Sequence, residues 1–205
     1  EYNQQCLSLG DRYQPARTFV RLDDANAIRA AGKTGQGRTI MLRIMVDSSR
    51  TGASTDFEDK AVLAIGDSSG TTTYQITVTG DAGNNDIRLN SRVIGASAST
   101  SSVQSGVLEA GKWYTFFFTA KSLPSSGANT EATHSIKYYG LSDGAVISTP
   151  SATAAVTANT IDESGLSMFI GYGEDNGGLN ADYRLSDFVR GVHIAEMAVW
   201  DGALE

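Results

Sequence analysis

A chain of 205 residues, 40% of them hydrophobic, is long enough to bury one sizeable core and suits a single all-β domain. Sixteen Lys and Arg against 23 Asp and Glu leave a net charge of −7, which argues against the clustered cations that hold a nucleic-acid backbone or an anionic membrane. A lone cysteine, Cys6, excludes an intrachain disulfide, and no apolar run approaches membrane-spanning length.

Three prolines beside 22 glycines and abundant Ser and Thr indicate many strands joined by polar turns. The chain opens at Glu1 with no visible signal peptide, so it reads as a processed form or a fragment. No asparagine stands in an N-x-Ser/Thr sequon.

Residues 1–17 show little periodicity. Leu7 and Leu9 offer a short edge strand, interrupted by Gly10-Asp11 and Pro15, so this segment is an N-terminal extension or edge strand. The domain proper runs over 18–205. Its first strand falls within Thr18–Leu22, and Ala27–Ala30 continue the pairing beyond Asp23-Asp24. Residues 38–47 form the clearest buried strand. Ile40, Leu42, Ile44 and Val46 share one face and Met41, Arg43 and Met45 the other, because side chains alternate along a strand. Arginine in so apolar a run marks that second face as only partly covered.

The polar residues 48–59 form an exposed loop. Lys60–Gly66 and Thr71–Thr79 read as two strands across Asp67-Ser68-Ser69-Gly70, with Tyr74, Ile76 and Val78 on the face opposite Thr73, Gln75 and Thr77. A glycine- and asparagine-rich turn at 80–86 leads to a strand at Ile87–Ile94. Residues 95–106, nearly all Ser, Thr, Ala and Gly, form a flexible loop.

Val107–Ala120 is the most aromatic stretch. Trp113, Phe117 and two threonines share one face, and Tyr114, Phe116 and Phe118 the other. A strand apolar on both sides belongs in the middle of a sheet. After a polar loop at 121–134, Ser135–Tyr139 and Ala145–Ser148 make a hairpin whose Asp143-Gly144 is the strongest turn signal in the chain. Another polar stretch precedes a strand at Leu166–Gly171. The chain closes on Phe188–Glu205, with a glycine at 191, an alternating strand and a turn at Asp201-Gly202. Strict alternation sends Ala195, Met197 and Val199 one way and Ile194, Glu196, Ala198 and Trp200 the other. No segment reads as more than a short helical turn.

The closing phrase resembles that of laminin G-like domains of the concanavalin A-like lectin/glucanase superfamily, F-x-G-x-I-D-E-V-x-I-Y-N-x-A-L-S. Phe188, Gly191, Ile194, Glu196, Met197, Val199, Trp200, Ala203 and Leu204 fall at corresponding places, while Ala195 replaces the usual acid and Asp201 the usual asparagine. Leu108, Gly111 and Trp113 are similar to the family's L-x-x-G-x-W phrase, and Leu166–Gly171 to its l-x-I-G strand. A Y-x-D-G phrase is loosened to Tyr139-Gly140-Leu141-Ser142-Asp143-Gly144. The resemblance implies an all-β, two-sheet antiparallel β-sandwich (jelly roll), concanavalin A-like. It also implies that the strand near Thr18–Leu22 lies beside residues 190–200, that Trp113 anchors a central strand and shares the core with Met197, and that ligands bind where loops cluster at the rim.

Chemistry on such a fold needs placed acids, and the laminarinase-type E-x-D-x-x-E phrase is absent. Asp56 and Glu58 can share a face, but their polar surroundings read as a solvated loop. The R-x-E-L-R and Q-I-H phrases of alginate lyases are also absent, since Arg38–Arg43 lacks the acid. His134, read as a loop residue, and His193, in the closing strand, lack the neighbours of a zinc set. No enzyme is read here, and no catalytic residue is assigned.

The segment 172–187 offers more. Tyr172 and Tyr183 supply flat faces for sugar rings, with Asn176 and Asn180 as hydrogen-bonding partners. Tyr138 and Tyr139 stand near the same rim; Trp113 and Trp200 read as core. Asp175 and Asp182 are the candidate ligands for calcium, which wants hard oxygens on a backbone able to curl, although an empty acidic loop accounts for the same residues. The expected role is a non-catalytic recognition module, extracellular or on a cell or virion surface, binding a glycan or surface protein, without nucleic acid or membrane insertion. The alternative is a structural or decorating domain of a virion, filament or cell-surface assembly that acts through protein–protein contacts, self-association included.

Overall fold

Alternation of large apolar with polar residues can bury one face of each strand, and two such faces pressed together make a sandwich. The computed structural model describes residues 6–9, 19–22, 37–46, 60–66, 72–81, 86–94, 100–105, 107–121, 130–140, 146–148, 151–156, 166–172 and 191–201. Within them every regular element is a strand: β1 (Leu7–Ser8), β2 (Val20–Leu22), β3 (Gly37–Val46), β4 (Lys60–Gly66), β5 (Thr72–Asp81), β6 (Asp86–Ile94), β7 (Thr100–Gln104), β8 (Trp113–Lys121), β9 (Thr130–Gly140), β10 (Val146–Ser148), β11 (Ser151–Val156), β12 (Ser167–Ile170) and β13 (Val192–Asp201).

Every pairing is antiparallel. One sheet has seven strands in the order β1-β13-β3-β8-β9-β10, with β11 also on β9; the other has six, β2-β12-β4-β5-β6-β7. Between them lies one core, in which Ile40, Leu42 and Ile44 of β3 and Phe116 and Phe118 of β8 meet Leu63, Ile65, Tyr74 and Ile76 of β4 and β5. The buried Tyr74 hydroxyl is satisfied by Ser91 Oγ at 2.8 Å. The antiparallel two-sheet sandwich expected from the sequence is therefore present.

Short connections tie the sheets together. Leu108 is buried and its N–H donates to the Ile87 carbonyl at 2.8 Å; Gly111 then turns at φ 76° and donates to the Val46 carbonyl at 2.7 Å. Tyr114 Oη accepts from the Glu109 N–H at 3.0 Å. The Leu108–Gly111 phrase thus plugs the core and turns the chain into β8.

Several expectations are corrected. The strand beside the closing one is β1, with Leu7 opposite Ile194, whereas β2 joins the other sheet through β12. Residues 100–104, read as loop, form β7 on β6. Thr130–His134, also read as loop, begin β9, so His134 is a strand residue opposite Ala120 and Ala152, and β11 pairs with this same half of β9. For β7 and the start of β9 the physical reason is the same: their small and polar residues carry no large apolar period, and pairing is set by neighbouring backbone. Ala27–Ala30 lie outside the described residues.

The closing strand departs from strict alternation. Ile194 lies opposite Ile44 and Glu196 opposite Arg43, so Ala195 is an extra residue in a β-bulge. After the bulge the phase is reversed. Ile194, Met197 and Val199 all face the core, and Glu196, Ala198 and Trp200 face outward.

Candidate ligand-binding face

The outer face of the seven-stranded sheet follows from the same register. Rungs run across β13, β3 and β8: Trp200–Thr39–Thr119, Ala198–Met41–Phe117, Glu196–Arg43–Thr115 and His193–Met45–Trp113. They continue on β9 at the register positions of Ser135, Lys137 and Tyr139. From Thr39 to Met45 the platform is about 20 Å long at the usual strand rise.

Its ends are aromatic and its middle is ionic. Phe117 and Trp200 stack with ring centroids 6.4 Å apart and planes 26° from parallel, and Trp200 is 39% exposed. At the other end Trp113 is half-buried beside the half-buried Met45 and His193. Between them Arg43 Nη1 donates to Glu196 Oε1 at 3.1 Å. A pair this open to water contributes little to stability, so a ligand oxygen can compete for the guanidinium at small cost. Thr39 and Thr119 are buried beneath, their hydroxyls 3.5 Å apart. A flat ring can stack on the indole while its oxygens meet the guanidinium, and Glu196 can accept from hydroxyls.

This face was missed because Trp113 and Trp200 read as core. Trp113 shares the outward phase of Phe117, while Tyr114, Phe116 and Phe118 fill the core. The signal available was Arg43, which sits on the outward phase of β3 and marks its neighbours as accessible.

The residues named from sequence stand elsewhere. Tyr172 is completely buried, in a second cluster with Ala61, Ala64 and Phe169; Phe19 packs on it with ring centroids 5.5 Å from Tyr172. A ring without an exposed face cannot stack on a sugar, so Tyr172 is a packing residue; in sequence it looked like a rim tyrosine because only polar residues follow it. Asp175, Asn176, Asn180, Asp182 and Tyr183 lie outside the described residues, as do Asp56 and Glu58. Among the described residues no group of three His, Cys, Asp or Glu is placed to hold a metal ion, and Cys6 is exposed.

No family model matches the chain, and no curated protein matches it. Solved structures do. The botulinum neurotoxin serotype G binding domain superimposes with a TM-score of 0.52 at 8% identity, over 94% of this chain and 39% of that one. The alginate lyase from Alteromonas sp. 272 gives 0.46 at 12% identity, over 91% and 79%. The PL-14 alginate lyase from Aplysia kurodai gives 0.44 at 12%, over 82% and 70%. The chain therefore spans about two fifths of the toxin domain it matches, and the likeness is one of fold.

Proposed function

We propose that this chain is a non-catalytic recognition module, laminin G-like in its phrases, on an exported or surface-displayed protein, and that its ligand is a glycan. The observation that carries the reading is the Phe117–Trp200 stack standing open beside the Arg43–Glu196 pair. Aromatic planes outside a core already well filled contribute little to folding, and they suit the C–H faces of sugars. Glu196 is engaged by Arg43, which suits holding a ligand better than moving a proton. The toxin binding domain of like fold supports a binding role only as a shared scaffold.

A glycan array probed with the protein and with Trp200→Ala tests this directly. The expected result is a defined set of bound glycans whose signal falls about tenfold or more in the variant, as for loss of one stacking ring. Equal binding by both proteins counts against the platform. Depolymerisation of β-glucan, galactan or alginate by the protein would overturn the non-catalytic half.

The rim segment keeps its own proposal. Calcium held by Asp175 and Asp182 should raise the melting temperature by mass action, and Asp175→Ala with Asp182→Ala should abolish the rise. A melting curve indifferent to millimolar calcium and to EDTA removes it. The structural reading is favoured by a different observation: Leu7, Val20 and Leu22 stand exposed on the edge strands β1 and β2. Open apolar edges invite further pairing, so a solution mass above that of one chain would move this reading ahead.

A further inference from the structure

The outer face of the six-stranded sheet carries a polar strip that is buried. Thr77 on β5 lies directly opposite Asn90 on β6, and Gln104 of β7 continues the rung; the next rung runs Arg92, Gln75, Ala64. Thr77 is 0% exposed and Asn90 5%, yet Thr77 Oγ1 and Asn90 Oδ1 have no hydrogen-bond partner. Buried polar groups are ordinarily satisfied, and two unsatisfied ones side by side need an explanation. As a cross-strand pair their Cβ atoms are about 5 Å apart, so both groups address one spot.

The surroundings describe what that spot would hold. Arg88 and Arg92 flank Asn90 on the same face of β6, and both are half-buried. Arg88 Nη1 donates to the Ser105 carbonyl at 3.4 Å, which draws its guanidinium toward β7. Ala61 and Ala64, opposite Thr77 and Gln75, belong to the buried cluster of Phe169 and Tyr172, so the strip has an apolar boundary on the β4 side. Gln104 is exposed, so the strip reaches solvent at the β7 side.

We propose that this strip is a second binding site, on the sheet opposite the aromatic platform and independent of it, for a hydroxylated organic anion of the sugar-acid kind. Whichever way the Asn90 amide is turned, it offers one acceptor and donors; with the Thr77 hydroxyl it matches ligand hydroxyls, which both donate and accept. The arginines supply the charge for a carboxylate. Neither feature alone selects this ligand. A neutral sugar brings no carboxylate to the guanidiniums, and a bare anion such as sulfate has no proton to give Thr77 Oγ1 and Asn90 Oδ1.

Titration with D-glucuronate, glucose and sulfate, followed through the Asn90 side-chain amide resonances, tests the assignment. Saturable shifts with glucuronate are expected, with weaker binding of the other two. Arg92→Gln should weaken glucuronate about tenfold or more, as for loss of a charged hydrogen bond. Thr77→Val, nearly the same shape without the hydroxyl, should weaken binding several-fold while the melting temperature of the ligand-free protein stays level or rises. That combination is not the signature of a structural hydroxyl. Three results would overturn the proposal: no saturable glucuronate binding, sulfate binding as tightly as glucuronate, or a Thr77→Val protein that melts lower, which would show the hydroxyl satisfied by water or by chain. Trp200→Ala should leave this titration unchanged, so it and the platform fail separately.

Discussion

Phe116 and Trp113 belong to one strand and face opposite ways, so truncating them should have unequal consequences. Phe116 fills the core without exposure, and Phe116→Ala should cost about 3–5 kcal/mol in urea unfolding. Trp113 lies on the half-open outer face, and Trp113→Ala should cost only about 1–2 kcal/mol. Equal costs would mean that the outer face is as tightly packed as the core. Gly171 supplies a second contrast. Its φ of 86° lies where an L-residue is strained, and a Cβ built there would stand 2.7 Å from Leu9 Cδ2. Gly171→Ala should therefore cost about 1–3 kcal/mol, mostly from the backbone, since the leucine tip can yield. Gly171→Ala should cost about as much in the Leu9→Ala background as in the parent; a much smaller cost there would assign the effect to the contact instead.

Among the elements, β13 shows best where residue patterns end as guides. Its length and turn were legible, and so was its apolar character, but the phase was not. A bulge inserts one residue without changing composition, so no period could reveal that Ala195 is extra. Deleting Ala195 should leave Ile194 opposite Ile44 and Glu196 opposite Arg43 with every side chain in its present phase, costing only about 1–2 kcal/mol, whereas deleting Ala198 should turn Val199 outward and Trp200 into the core phase and cost more than about 3 kcal/mol. Two deletion variants that melt alike would show the ladder able to re-register after Ala198 is lost. Strands β3, β4, β5, β6, β8 and β12 were readable because large side chains alternate or run unbroken there. β7 and β11 were not, because Ser-Thr-Ala strands gain their place from partners already set. The candidate platform was legible only at Arg43. Its tryptophans were misplaced because an indole in a strand carries no mark of which side is core.

At the scale of the whole molecule, the aromatic platform and the arginine strip stand on opposite sheets, with the core between them. Raising salt should weaken glucuronate at the arginine strip while leaving stacking on Trp200 little changed, a difference readable in parallel titrations. The order of strands has one more effect. In the larger sheet β13 lies between β1 and β3, so the last of the described strands occupies a place inside the sheet and not at its edge. A ribosome delivers it after the other twelve described strands. Until residues 192–201 emerge, the β3 edge has no partner on that side, and the nascent chain carries an incomplete larger sheet. The larger sheet is therefore completed by an insertion between two waiting strands, a step that cannot begin early however quickly the other strands pair. A premature stop before residue 190 should give a product without a cooperative melt and in need of chaperone shelter, and the nascent chain should gain protease resistance only once residues 192–201 have emerged.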